Sequence, residues 1–187
     1  IPYGTDGELV GFKNQYKSGD LEKAKKLLAE AGHPKGKGIP RISFDVIASP
    51  TSEEMAKFMK VSLSKIGIRL RVNVYPWQRF QKRIHRRQAQ MWGNAWGADY
   101  PDGENFLQLF YGANAIPGSM NTSYYHDVKY DVKYVEAVSK LPSAERTKLY
   151  EELAKKIAED LPVYLGVHRV KGTLVQPWIQ NYIPSSF

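Results

Sequence analysis

Between residues 18 and 98 the apolar residues switch repeatedly between the spacing of a helix and the spacing of a strand, and few folds accommodate that alternation. Leu21, Ala24, Leu27, Leu28 and Ala31 form one stripe at helical spacing. They predict a helix over 18–31, capped by Ser18 or Asp20 and stopped by Gly32 and Pro34. Lys35–Pro40 reads as a flexible Gly-Lys turn. Ile42, Phe44 and Val46 then alternate, predicting a strand over 41–48. Thr51-Ser-Glu-Glu54 has the form of a capping box and opens a second helix to about Ile66. Its apolar face is Met55, Phe58, Met59, Leu63 and Ile66, and Gly67 ends it. Ile68, Leu70, Val72 and Val74 alternate with Arg69, Arg71 and Asn73, a half-buried strand. Pro76 suits the first turn of a third helix to about Gln88, buried through Phe80 and Ile84. Gln90–Ala98 reads as a third strand. Strands joined by helices of this length pair in parallel, with the helices on the faces, so the expected class is α/β.

The second half is different. A short helix is expected over 102–111, a polar loop over 112–123, and two helices over 127–141 and 143–160. Leu149, Leu153 and Ile157 supply the apolar face of the last helix, and Leu161-Pro162 ends it. One or two strands are expected over 163–175. At 187 residues the chain suits one domain or two small lobes. It opens at Ile1 without a helix or strand signal, and is expected to be a piece of a longer protein.

Several function classes fall away early. The chain has no Cys, which removes disulfides and thiolate metal sites. Its four histidines, His33, His85, His126 and His168, are scattered without ligand spacing, so no metal site is expected. No phosphate-loop frame or Gly-x-Ser-x-Gly elbow occurs, and no cofactor is expected. The formal charge is 27 − 19 = +8, which raises a nucleic-acid reading. The densest basic cluster, Arg79, Lys82, Arg83, His85, Arg86 and Arg87, is read instead as a solvated helix face.

Chemistry concentrates in 92–106, Trp-Gly-Asn-Ala-Trp-Gly-Ala-Asp-Tyr-Pro-Asp-Gly-Glu-Asn-Phe. On a strand, Trp92, Asn94 and Trp96 share a face, and Gly93, Ala95 and Gly97 leave the backbone approachable. Asp99 follows the strand's carboxyl end, where open α/β sheets bind ligands. A carboxylate beside indole rings suits a ligand cation. Three other readings stand beside this one. Asp99 or Asp102 would cap the next helix, the Trp residues would be core, or Asp99 and Glu104 would be a glycosidase-type pair.

The chain resembles the C-terminal lobe of family 5 of the bacterial extracellular solute-binding proteins, the oligopeptide-, dipeptide- and nickel-binding components of ABC importers. The resemblance rests on Asp20–Gly32, Leu63–Arg69, Trp96-Gly-Ala-Asp-Tyr-Pro-Asp102, Asn121 with Tyr125 and Asp131, Leu161–Tyr164, and Leu174–Trp178. It implies a type II periplasmic-binding-protein lobe, a mixed sheet flanked by helices, over 1–162. Residues 163–187 are then strands and a tail crossing towards another lobe. It also implies no catalysis, a periplasmic or extracellular location, and capture of a small, peptide-like solute. The implied partners are ABC permease subunits, with the membrane reached only through them or through a lipid anchor, and no nucleic acid. In peptide-binding relatives the Asp of this motif meets the ligand ammonium, which is Asp99 here. Trp96, Trp77 and the Gly97 backbone are the implied pocket neighbours. Oligopeptide-binding relatives can carry an Arg three residues before the Trp; here that position is Gly93.

Overall fold

A computed structural model describes residues 1–2, 4–12, 19–167 and 172–183. The chain divides into two compact units, one of Lys13–Ala95 with Pro117–Ser119, the other of Ile1–Phe12, Trp96–Ile116 and Met120–Phe187.

The first unit follows the alternating pattern. Its elements are α1 (Leu21–Glu30), β1 (Ile42–Ile47), α2 (Pro50–Ser64), β2 (Leu70–Tyr75), α3 (Trp77–His85) and β3 (Met91–Trp92). The sheet order is β2-β1-β3, and both pairings are parallel, with Phe44 opposite Val72 and Met91. No antiparallel member of the expected mixed sheet lies among the described residues. As middle strand, β1 is covered on both faces. Phe44 and Val46 pack with Leu70 and Ala56 of α2, and Asp45 faces the other way, to Asn73 and Arg83.

Start signals worked with small shifts. Asp20 caps α1 by accepting from Lys23 N at 2.8 Å; Ser18 lies outside the described residues. In α2 the cap is Ser49, not Thr51, and it accepts from Ser52 N at 3.2 Å. Pro50 explains the shift, because it lacks an N–H and fits the first helical position. The apolar face of α2 is also narrower than its spacing suggests. Ala56 is buried and Met59 and Leu63 are partly buried, but Met55 and Phe58 are exposed.

The Gly-Lys turn is more than a flexible link. A Cβ on Gly36 would sit 2.2 Å from Gly67 O, and one on Gly67 would sit 1.9 Å from Lys35 O. Both glycines have positive φ, 73° and 88°. Two stretches of backbone therefore cross at van der Waals distance where α2 turns into β2.

The second unit is helical, with α4 (Glu104–Leu107), α5 (Val128–Val138) and α6 (Ala144–Asp160). Asp127 and Ser143 cap the two long helices, and Leu161 ends α6 in the left-handed conformation, φ 49°. Leu107, Tyr130, Tyr134, Ala137, Tyr150, Leu153 and Ile157 form the core. Its tyrosines keep their hydroxyls satisfied: Tyr130 donates to Leu107 O at 2.8 Å, and Tyr134 donates to Glu104. Asn121 is fully buried and donates to the carbonyls of Tyr111 and Tyr125. Asp131 accepts from Gly112 N at 2.7 Å. The Asn121, Tyr125 and Asp131 spacing thus closes the polar loop onto α5.

Two expected strands are corrected. The one over 90–98 pairs only at Met91 and Trp92. Opposite Ser43 the Gln90 side chain, not backbone, accepts the amide at 2.9 Å, and residues 93–98 pair with no strand. Over 163–167 and 172–175 no strand forms either. Tyr164, Val167 and Leu174 are largely exposed there, and apolar alternation makes a strand only when a ladder partner lies alongside. Among the described residues no helix is long and apolar enough to cross a membrane.

Candidate functional site

The segment after β3 leaves the sheet without regular structure and enters α4 through Asp102 and Gly103. Asn105, on α4, organises it. Its side chain is fully buried, and its Oδ1 accepts from Trp96 Nε1 at 2.8 Å and from Asp99 N at 3.2 Å. Two donors on one atom identify that atom as the carbonyl oxygen. The Nδ2 is buried without a hydrogen-bond partner among the described residues.

This anchoring fixes the backbone of Asp99 and leaves its side chain outside. Asp99 is exposed, and no described residue offers its carboxylate a hydrogen bond or an ion pair. Although the cap position itself is Gly103, of Asp99 and Asp102 the one that meets the start of α4 is Asp102. Its Oδ1 accepts from Glu104 N at 2.9 Å, and its Oδ2 accepts from Arg146. The Arg146 guanidinium lies 4.9 Å from the Tyr150 ring centre, with Asp6 Oδ2 3.7 Å from its Nε.

Glu104 has a different environment again. Tyr100 and Tyr134 each donate a hydroxyl to one of its oxygens. Burial, and then the hydrogen bond to Glu104, hold both phenols above their usual range. Glu104 is thus committed to the packing of α4 on α5, while Asp99 is not.

The five predicted site residues divide between the two units. Trp96, Gly97 and Asp99 share the helical unit and the anchored segment. Trp96 is about one-third exposed, at 36%, and a Cβ on Gly97 would meet nothing within 4 Å. Trp77 and Asn94 belong to the α/β unit. Trp77 is half exposed at the start of α3 and stacks on Phe80, with centroids 6.2 Å apart. Asn94 turns its Oδ1 back to Ala95 N at 2.9 Å. The shared face expected for Trp92, Asn94 and Trp96 does not exist beyond Trp92, because the pleat stops there.

The basic cluster is partly turned inward. Arg83 Nε donates to the buried Asp45 at 2.7 Å and its second nitrogen to Gln88 O at 2.7 Å. Arg79 and Arg83 both lie against the Tyr75 ring, at 5.1 and 4.8 Å. Among the described residues no group of three or more His, Cys, Asp or Glu side chains is placed to hold a metal.

Asn105 is the site residue that the sequence did not single out. Its place, six residues after Asp99 in the same motif, is a signal only once the fold brings its side chain under the loop.

Comparison with known proteins agrees with the motifs. The chain is 29% identical over 170 residues to heme-binding protein A of Haemophilus influenzae, covering 90% of this chain and 31% of that protein. It is 30% identical over 161 residues to di/tripeptide-binding protein 3 of Pseudomonas aeruginosa, covering 84% and 29%. Among solved structures it matches the ABC transporter-associated periplasmic binding protein DppA from Helicobacter pylori, in complex with peptide STSA. That match has a TM-score of 0.76 and 31% identity, and covers 86% of this chain and 31% of that one. The chain thus spans about a third of the length of these relatives. The model of the bacterial extracellular solute-binding proteins, family 5 Middle, matches residues 1–118, and the chain belongs to that family.

Proposed function

We propose that the chain is part of the solute-binding component of an ABC importer, and that its Asp99 carboxylate receives the ammonium group of a small, peptide-like solute. The observation that carries this reading is the contrast between Asp99 and the two neighbouring acids, Asp102 and Glu104. Asp102 and Glu104 are spent on the protein's own donors, while Asp99 is exposed and its carboxylate has no partner among the described residues. Trp96, pinned beside it, offers an aromatic wall. Relatives named for peptides make a peptide the leading solute, and the relative named for heme keeps other solutes within reach. Trp77, Asn94 and the Gly97 backbone are proposed as further contacts. Residues 1–162 are the proposed ligand-binding lobe, and 163–187 are proposed to cross to a partner lobe. Lobe closure around the solute supplies the desolvation that an exposed carboxylate lacks. The permease subunits are the proposed partners, in a periplasmic or extracellular setting at the membrane. No catalytic role is proposed.

The test is native mass spectrometry of the gently purified full-length protein, followed by denaturation to release bound solute. A heterogeneous set of short peptides supports the reading. A single non-peptide mass moves the solute class. In the same protein Asp99→Ala is expected to weaken a cationic solute by about 2–5 kcal/mol, the scale for truncating one partner of a buried charge pair. An unchanged Kd removes Asp99 from the site.

A further inference from the structure

We infer that Asn105 is the positioning residue of this site: it presents Asp99 and Trp96 to the solute without touching the solute itself. The inference rests on the reading of Asp99 as ammonium partner, and adds the device that makes an exposed carboxylate selective.

Residues 93–98 have no strand partner, and Asp99–Asp102 are bends. Backbone of this kind samples many conformers unless it is tied down. Gly93 and Gly97 add further freedom, and a Cβ at Gly97 would meet no neighbour. A ligand carboxylate on such a segment would lose the freedom of the whole loop on binding, and affinity would fall accordingly.

Asn105 removes that freedom at two points. Its Oδ1 accepts from the indole of Trp96 and from the amide of Asp99, three residues apart in the chain. The acceptor sits on α4, whose Leu107 is part of the packed core. The link therefore runs from the core of the unit, through one oxygen, to both proposed ligand contacts. An amide suits the task better than a carboxylate of its own, because it accepts both N–H groups without adding a second negative charge beside Asp99. The same bond occupies the indole N–H, so Trp96 does not offer that donor to the solute.

The test uses the full-length protein with trialanine as probe, titrated by calorimetry, in wild type, Asn105→Leu, Asn105→Asp and Asp99→Asn. Nitrogen-15 labelled tryptophan reports the Trp96 indole N–H by NMR. Asn105→Leu keeps the volume and removes the acceptor, and is expected to weaken trialanine about tenfold and move the Trp96 indole resonance away from its hydrogen-bonded position. Asn105→Asp keeps an acceptor oxygen and is expected to leave the resonance in place, with the added charge beside Asp99 changing affinity by less than Asn105→Leu does. Wild-type affinity in Asn105→Leu, with affinity lost in Asp99→Asn, overturns the positioning role and leaves the Asp99 reading standing. Wild-type affinity in Asp99→Asn overturns that reading, and this inference with it. Where Asn105→Leu does not fold, Asn105→Ala, which also removes the acceptor, takes its place with the same two readouts. A tenfold loss with the indole resonance unmoved shows that Asn105 does something other than accept these two bonds.

Discussion

The Asp45 carboxylate lies on the middle strand, fully buried, with hydrogen bonds from Asn73 and Arg83. Its partner Arg83 keeps 23% of its side chain exposed, so the two ends of the pair are not equivalent. Removing Arg83 strands a buried charge, whereas removing Asp45's charge leaves a guanidinium that reaches water. Arg83→Met is therefore expected to cost about 3 kcal/mol or more, and Asp45→Asn about 1–2 kcal/mol, in urea unfolding. The reverse order would show that Asp45 is not held as an ion. Glycines divide on similar grounds. Gly67 combines φ 88° with the close approach of Lys35 O, so Gly67→Ala is expected to lose about 3 kcal/mol from strain and overpacking. Gly97→Ala meets open space, and its unfolding midpoint should stay within about 0.5 kcal/mol of wild type. Equal losses in the two variants would remove the crossing at Gly36 and Gly67 as a structural constraint.

At the scale of elements, α1, α2, α5 and α6 each begin where a side-chain oxygen meets an unpaired amide, whereas α3 starts at Pro76 without one. Asp127 does this for α5, accepting from Tyr130 N at 2.8 Å. That bond first, and then Lys156 at 3.0 Å, hold its carboxyl below the usual range. Lys156 also pairs with Asp160, whose carboxyl is lowered by the Tyr125 hydroxyl and by Lys156. Because these folded-state values are depressed, the unfolded chain binds more protons in acid. The stability they contribute is present above about pH 4 and is lost as pH falls through the folded values. Asp127→Asn keeps a capping oxygen and removes the titration. It should lose only a little stability at neutral pH and show a shallower decline in urea midpoint between about pH 5 and pH 3. An unchanged acid slope would assign the decline to other carboxylates. The strands obey a different rule. For β3 the expected run of nine residues, Gln90–Ala98, shrank to Met91–Trp92, because the segment leaves β1 after Trp92, although β1 itself runs on to Ile47.

Over the whole chain, each unit has its own core, one of aliphatic residues and Phe44 around a parallel sheet, the other of tyrosines and aliphatic residues between helices. Hydrogen exchange should follow those cores. Amides of β1, α5 and α6 are expected to be the slowest, and those of 93–98, 163–167 and 172–183 among the fastest. Slow exchange in 93–98 would mean a ladder partner that this fold does not provide. Much of this was legible in the residues themselves. The alternation of periods determined α/β order and parallel pairing in the first unit, and caps and stops placed nearly every helix within a few residues, because those signals act over one or two turns. The motif Trp96–Asp102 and its neighbours determined the family. Tertiary structure alone decided the rest. It gave Asp102 and Glu104 their partners from Arg146, Tyr100 and Tyr134 and, among the described residues, none to the Asp99 carboxylate. It withdrew the face expected for Asn94 and Trp96, and put Asn105 beneath the loop. The physical reason is the range of the forces involved. A helix stripe or a cap is settled by residues three or four apart, whereas the freedom of a carboxylate depends on which distant donors the fold brings to it.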